Sequence, residues 1–180
     1  MTIAKTQPLK IAIVGPESTG KSSMAQYLAQ ELNTLSVPEY ARYYCKNLER
    51  QYTFQDELNM FYGQIALEDA FLAMKPEVLI CDTTFLTVKI WSDHLFHHAP
   101  EEVLQELGTR SYDLYLLMNI DLPWVDDPLR DFPNDRAHFL SVWEKELVNL
   151  SGDIVLISGL GEERMQAGLK AASDFLHRNK

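Results

Sequence analysis

The chain has 180 residues, 46% hydrophobic and 23% charged, enough for one domain with a full core or one domain plus a small lid. Its 16 basic and 26 acidic side chains leave a net charge of −10, which repels phosphate backbones and argues against general nucleic-acid affinity. Any phosphate site must therefore be built locally, from a few cations and backbone amides. No apolar run approaches the roughly 18 residues of a membrane span, so no membrane insertion is expected. Residues 1–10 lack the apolar centre of a signal peptide, and the expected location is the cytoplasm. Cys45 and Cys81 have no metal-type spacing and read as buried thiols.

In chain order, residues 9–15 (LKIAIVG) form a short apolar run ending in glycine, the pattern of a buried parallel strand. Residues 21–32 follow with helical spacing, Met24, Tyr27, Leu28 and Leu32 making one stripe. A brief β-like run at 34–37 stops at Pro38. Helices are predicted over 41–49 and 54–74. Residues 77–82 (EVLICD) are a second buried strand ending in a carboxylate. Helices over 84–95 and 101–107 precede a strand at 112–118. Residues 121–136 hold Pro123, Pro128 and Pro133 among many charges, a composition that forbids a regular element and predicts a mobile loop. A helix over 136–150, a strand over 153–158 and an amphipathic helix over 160–180 close the chain. Strands and helices alternate from end to end, which predicts one α/β domain over 1–180, with a parallel sheet covered by helices on both faces. Ligands of such sheets bind at the carboxyl ends of the strands, where each of the following motifs falls.

Residues 15–22 read GPESTGKS and fit G-x-x-x-x-G-K-[ST] between a predicted strand and a predicted helix, the context of a phosphate-binding P-loop. Gly15 and Gly20 let the backbone turn its N–H groups inward, and Glu17, Ser18, Thr19 and Ser23 complete the cradle. Lys21 supplies a point charge to the β- and γ-phosphates of ATP, and the Ser22 hydroxyl is a ligand for Mg²⁺. Asp82, at the end of the second strand, is the expected second Mg²⁺ ligand; its structural alternative is a helix cap, shared with Thr83. Glu39 and Arg42, in VPEYAR, suit a base or orienting acceptor and a substrate or phosphoryl contact. They equally suit a pair at a helix start, with Glu39 favoured by the helix dipole and Arg42 in solvent. Arg130 and Arg136 lie in the proline-rich stretch, where a lid could close them over ATP; the plain alternative is a polar surface loop. His94, His97 and His98 read as a solvated helix end, and Trp91 and Phe96 as core.

These pieces together resemble the ribosylnicotinamide kinase domain of NadR-type proteins, P-loop NTPases. GPESTGKS, PEYAR, Gln64 within FYGQIALE, CDTTFLT and DLYLLMNIDLPWVDDPLR followed by NDR stand in that family's order from Ile11 to about Leu147. The resemblance implies a three-layer nucleoside-kinase fold with a five-stranded parallel sheet and a lid at about 121–136. It implies transfer of phosphate from ATP, with Mg²⁺, to the 5′-hydroxyl of nicotinamide riboside, giving nicotinamide mononucleotide for NAD salvage. Lys21, Glu39, Asp82 and Arg130 would then be catalytic, and Glu39, Tyr40, Arg42, Gln64, Asp82 and Trp124 would meet the nucleoside-like acceptor. The proton acceptor is Glu39 or Asp82. With so few residues ahead of the first strand, neither the adenylyltransferase nor the DNA-binding domain of NadR-type proteins is expected. Two positions depart from the family: Pro38 stands where an aromatic stacks on nicotinamide, leaving Tyr40, Tyr43 or Trp124 for that task, and Pro128 stands where the lid has glycine. The alternatives are a P-loop kinase for another nucleoside or small metabolite, and a nucleotide-dependent regulatory ATPase without an acceptor.

Overall fold

The computed structural model describes residues 7–46 and 48–179. Five strands, β1 (Leu9–Val14), β2 (Leu35–Val37), β3 (Val78–Asp82), β4 (Leu114–Met118) and β5 (Asp153–Ile157), form one sheet in the order β2-β3-β1-β4-β5. Every pairing is parallel, and β1 lies at the centre with Ile11 opposite both Ile80 and Leu114. The helices are α1 (Lys21–Glu31), α2 (Tyr40–Cys45), α3 (Phe54–Leu72), α4 (Leu86–Phe96), α5 (Glu101–Leu107), α6 (Arg136–Val148) and α7 (Gly161–Asn179).

Successive strand residues point to opposite faces, so a central strand apolar on both sides must be covered twice. On β1, Ala12 and Val14 pack with Phe61 of α3, Leu86 of α4 and Trp143 of α6. Ile11 and Ile13 pack with Met24 and Leu28 of α1 and with Ala172 and Phe175 of α7. The result is the three-layer α/β sandwich expected from the alternating pattern. Burial of fully enclosed side chains such as Ile13, Leu79 and Leu116 stabilises it by about 2 kcal/mol each.

One element differs from the reading of the sequence. The helix predicted over 41–49 ends at Cys45, and Leu48 to Thr53 run as a loop, Asn47 lying outside the described residues. That loop is drawn to the start of α3. Thr53 and Asp56 form a capping box, and Arg50 grips Asp56 at 2.6 and 3.0 Å. The last helix is described to Asn179, and Lys180 lies outside. Between Met118 and Arg136 no regular element forms, as the three prolines require.

Candidate active site

At the carboxyl end of β1 the backbone turns through Gly15 (φ 132°) and Gly20 (φ 80°), with Ser18 between them also at positive φ. A side chain at Gly15 would stand 2.9 Å from the Met118 carbonyl oxygen, so the loop can cross β4 only as glycine. Inside the loop the Thr19 hydroxyl donates to the Pro16 carbonyl at 2.8 Å. Lys21 Nζ donates to the Gly15 and Pro16 carbonyls at 3.0 and 2.8 Å. Burial lowers the Lys21 ammonium, and Glu39, Asp82 and Glu17 oppose that shift. Lys21, Ser22 and Ser23 open α1 and line the same space, at the positive end of the helix.

Support for the loop comes from a residue the sequence reading passed over. Arg164, in the first turns of α7 and 2% exposed, donates to the carbonyls of Thr19 at 2.9 Å and Asn119 at 2.7 Å and pairs with Asp121 at 3.3 Å. It sits in an ordinary amphipathic helix 145 residues from Thr19, and no local pattern marks it.

β3 delivers Asp82, 6% exposed, beside the Ser22 hydroxyl. Burial, and then the nearby Glu39 charge, push its carboxyl up to about 6, while Ser22, Lys21 and Arg42 hold it down. Its Oδ1 is buried without a hydrogen-bond partner among the described residues. The helix-cap alternative is not taken up: α4 begins at Leu86, whose N–H is met by the Thr84 hydroxyl at 3.3 Å, and Thr83 pairs with Thr87. A hard divalent cation fits a buried orphan carboxylate oxygen facing a serine hydroxyl, so Ser22 and Asp82 match the donor set of Mg²⁺.

β2 delivers Glu39 as the N-terminal flank of α2. Glu39 pairs with Arg42 at 3.2 Å across the first turn of α2, the helix-start pair that was the alternative reading, and Arg42, its side chain 39% exposed, also reaches Asp127 at 3.1 Å. Gln64 is 4% exposed; its Oε1 accepts from the Tyr40 N–H at 2.8 Å and its amide faces the Pro38 carbonyl at 3.5 Å.

The connection over 119–135 lies against the phosphate loop. Glu17 accepts from the Asp131 and Phe132 N–H groups at 3.2 and 3.3 Å, and the Ser18 hydroxyl accepts from Val125 N–H at 2.9 Å. Arg136 donates to the Leu122 carbonyl at 2.8 Å and to that of Ser18 at 3.4 Å, with its guanidinium 5.9 Å from the Trp124 ring. Arg130 donates to the Val125 carbonyl and keeps a buried Nε without a partner among the described residues. Phe132 stacks on Trp91 at 5.2 Å.

One cavity of about 590 Å³ joins these parts. Of the residues singled out in the sequence, Gly15, Glu17, Ser18, Thr19, Gly20, Lys21, Ser22, Ser23, Glu39, Arg42, Gln64 and Arg130 line it. Asp82, Tyr40, Trp124 and Arg136 do not; Asp82 sits just behind the lining residues Ser22 and Thr83, and Tyr40 lies over Gly63, where an added Cβ would come within 2.0 Å of its ring. Tyr43 is 64% exposed. The aromatic wall is instead Tyr52, Phe85, Trp91, Phe139 and Trp143. Trp91, expected in the core, packs against it and also borders the cavity, and His94, expected in solvent, packs between Phe132 and Phe139 at 4.8 and 4.9 Å. Among the described residues no helix is long and apolar enough to cross a membrane.

A family model described as AAA domain matches residues 10–164. The chain is 30% identical over 137 residues to the trifunctional NAD biosynthesis/regulator protein NadR of Escherichia coli, and 29% identical over 137 residues to that of Salmonella typhimurium. Each match covers 72% of this chain and 33% of the relative, so the chain spans about a third of the length of the curated relatives it matches. A crystal structure of NadR protein in complex with NR shares the fold at TM-score 0.77, with 19% identity, over 93% of this chain and 51% of that chain. A deoxyadenosine kinase from M. mycoides shares it at TM-score 0.61, with 14% identity, over 94% and 100%. The likeness to NadR-type proteins read from the motifs is borne out, and the chain belongs to the AAA-domain family of P-loop NTPases.

Proposed function

We propose that the protein is an ATP-dependent kinase that phosphorylates the 5′-hydroxyl of nicotinamide riboside to give nicotinamide mononucleotide. The observation that carries this reading is the continuity of the cavity: it runs from the phosphate loop past Glu39 into a chamber walled by α2, α3, α4 and α6. A nucleotide switch has no use for such a chamber, whereas a kinase needs one for its acceptor. The NadR structure in complex with NR, and the NadR relatives named for NAD biosynthesis, favour nicotinamide riboside as that acceptor.

In this reading the phosphates of ATP lie on the N–H groups of residues 15–23, and Lys21 moves from the loop carbonyls to the β- and γ-oxygens. Ser22 and Asp82 hold Mg²⁺, which when bound neutralises charge on those oxygens. Glu39, oriented by its pair with Arg42, takes the proton of the 5′-hydroxyl as its oxygen bonds to the γ-phosphorus and the bond to ADP breaks. Residues 121–136 act as a lid, and Arg130, with its unpaired Nε, turns to the transferring phosphoryl. Most of the rate comes from positioning and charge rather than covalent work.

ADP release by the purified protein with ATP and Mg²⁺, with and without a nucleoside panel led by nicotinamide riboside, tests this. Nicotinamide riboside should raise turnover by about tenfold or more. Stimulation by a different nucleoside only would replace the substrate. Tight ATP binding with no stimulation by any acceptor would favour the regulatory ATPase.

A further inference from the structure

Two adjacent carboxylates open α3, and their surroundings differ completely. Asp56, 2% exposed, accepts from Arg50 at 2.6 and 3.0 Å, from the Tyr44 hydroxyl at 2.7 Å and from the Thr53 N–H at 2.6 Å. These bonds hold its carboxyl well below the usual range. Glu57, 1% exposed, has an Oε2 that is buried with no hydrogen-bond partner among the described residues. Arg50, Tyr44 and Thr53, the donors nearest this helix start, bond Asp56 and not Glu57. Burial, with the charge of Asp56 beside it, pushes the Glu57 carboxyl up to about 8.

A buried carboxyl without a partner costs stability and persists where a ligand uses it. Glu57 lines the cavity together with Met60 and Gln64, at spacings of three and seven residues on one helical stripe. Gln64 marks the Glu39 end, through its bond to Tyr40. At 1.5 Å per residue, Glu57 lies about 10 Å further along the axis. That is the order of the distance from the 5′-hydroxyl of a nucleoside to the far edge of its base. α4 and α6 bring Thr87, Val88, Ile90, Trp91, Phe139 and Trp143 to the wall, none of them ionisable. The ionisable residues sharing this end are Cys45, Glu49, Arg50, Tyr52 and Asp131; Arg50 is held by Asp56, and Asp131 accepts from the Tyr52 hydroxyl at 2.9 Å.

We propose that Glu57 is the specificity-determining residue of the acceptor chamber, and that it selects a cationic pyridinium ring by ion-pairing with it away from water. This rests on, and deepens, the nicotinamide riboside reading: the base of that riboside is an N-substituted pyridinium, positively charged at every pH. A cation beside Glu57 gives its carboxylate the partner the protein withholds, and aromatic faces on Tyr52 and Trp91 border the same space. A neutral ring of the same shape gains nothing from the carboxylate. A ring bearing its own carboxylate is repelled.

The test does not require turnover. Binding of 1-methylnicotinamide, a cationic pyridinium, is compared with that of neutral nicotinamide by NMR titration, in the wild-type chain and in Glu57→Gln. The wild type should bind the cation about tenfold more tightly, and Glu57→Gln should bind the two alike. Calorimetry near pH 7 in buffers of different ionisation enthalpy adds a second readout: the cation should expel a proton from Glu57 in the wild type and none in the variant. Equal binding by the wild type, or a preference retained in Glu57→Gln, overturns the inference. Glu57→Leu guards against an effect of the amide itself and should lose the preference equally. Turnover of nicotinamide riboside separately decides the kinase reading, so either can fail alone.

Discussion

The two ends of the cavity are built on opposite principles. At the phosphate end nearly every polar group is tied to backbone: Lys21 to two loop carbonyls, Thr19 to Pro16, Arg164 to Thr19 and Asn119, Glu17 to two N–H groups of 119–135. At the acceptor end the walls are side chains from four helices and a loop, and Glu57, buried there, has an oxygen with no partner among the described residues. Backbone contacts fix a geometry that any nucleoside triphosphate needs. Side chains set a preference that substitution can change without disturbing the phosphates.

The largest expected effects break the phosphate end. Lys21→Ala should lower kcat by about 10³-fold or more, because no second cation stands among the residues of the loop itself. Asp82→Asn should lower kcat by about 10²-fold, yet stabilise the nucleotide-free protein. The Asp82 carboxyl is raised on folding, so its contribution costs stability as pH rises from about 4 through about 6 and is absent below. The variant should therefore melt about 5 °C above the wild type at pH 8 and level with it near pH 4, as read by thermal denaturation at both pH values.

A smaller effect separates the ends. Asp127→Ala frees Arg42 from 119–135 and should raise the KM for ATP about fivefold while leaving the fold intact; equal KM values would show that this ion pair does not hold the lid. Smaller still in activity, Gly63→Ala drives a methyl into the Tyr40 ring and should cost about 1–3 kcal/mol by denaturant unfolding. Its KM for ATP should remain within about twofold.

The same contrast explains what could be read from the residues alone. The phosphate loop is contiguous, and its glycines and lysine have one arrangement that works, so GPESTGKS announced both the motif and the strand and helix around it. Asp82 was legible for a similar reason, as the last residue of an apolar strand. Glu57 was not, because EL at the start of a helix is ordinary; its isolation follows only from the capture of Arg50, Tyr44 and Thr53 by Asp56. Trp91 and Trp124 show the limit of pattern from two sides. The periodicity of α4 makes Trp91 an inward residue but does not say that inward means a cavity. Trp124 sits in the most distinctive stretch of the sequence and yet bonds Asp126 outside the cavity lining.

Arg164 gives the molecule a timetable as well as a support. Its bond to Thr19 joins residues 145 positions apart and reaches from the last helix, so it can form only once α7 has docked on α1 and the sheet. The sheet around β1 can gather from β3 and β4 earlier, leaving the phosphate loop formed but unpropped. During refolding from denaturant, recovery of nucleotide binding should therefore lag behind recovery of far-UV circular dichroism. Arg164→Met should uncouple the two by weakening binding in the final state while the sheet forms at its usual rate.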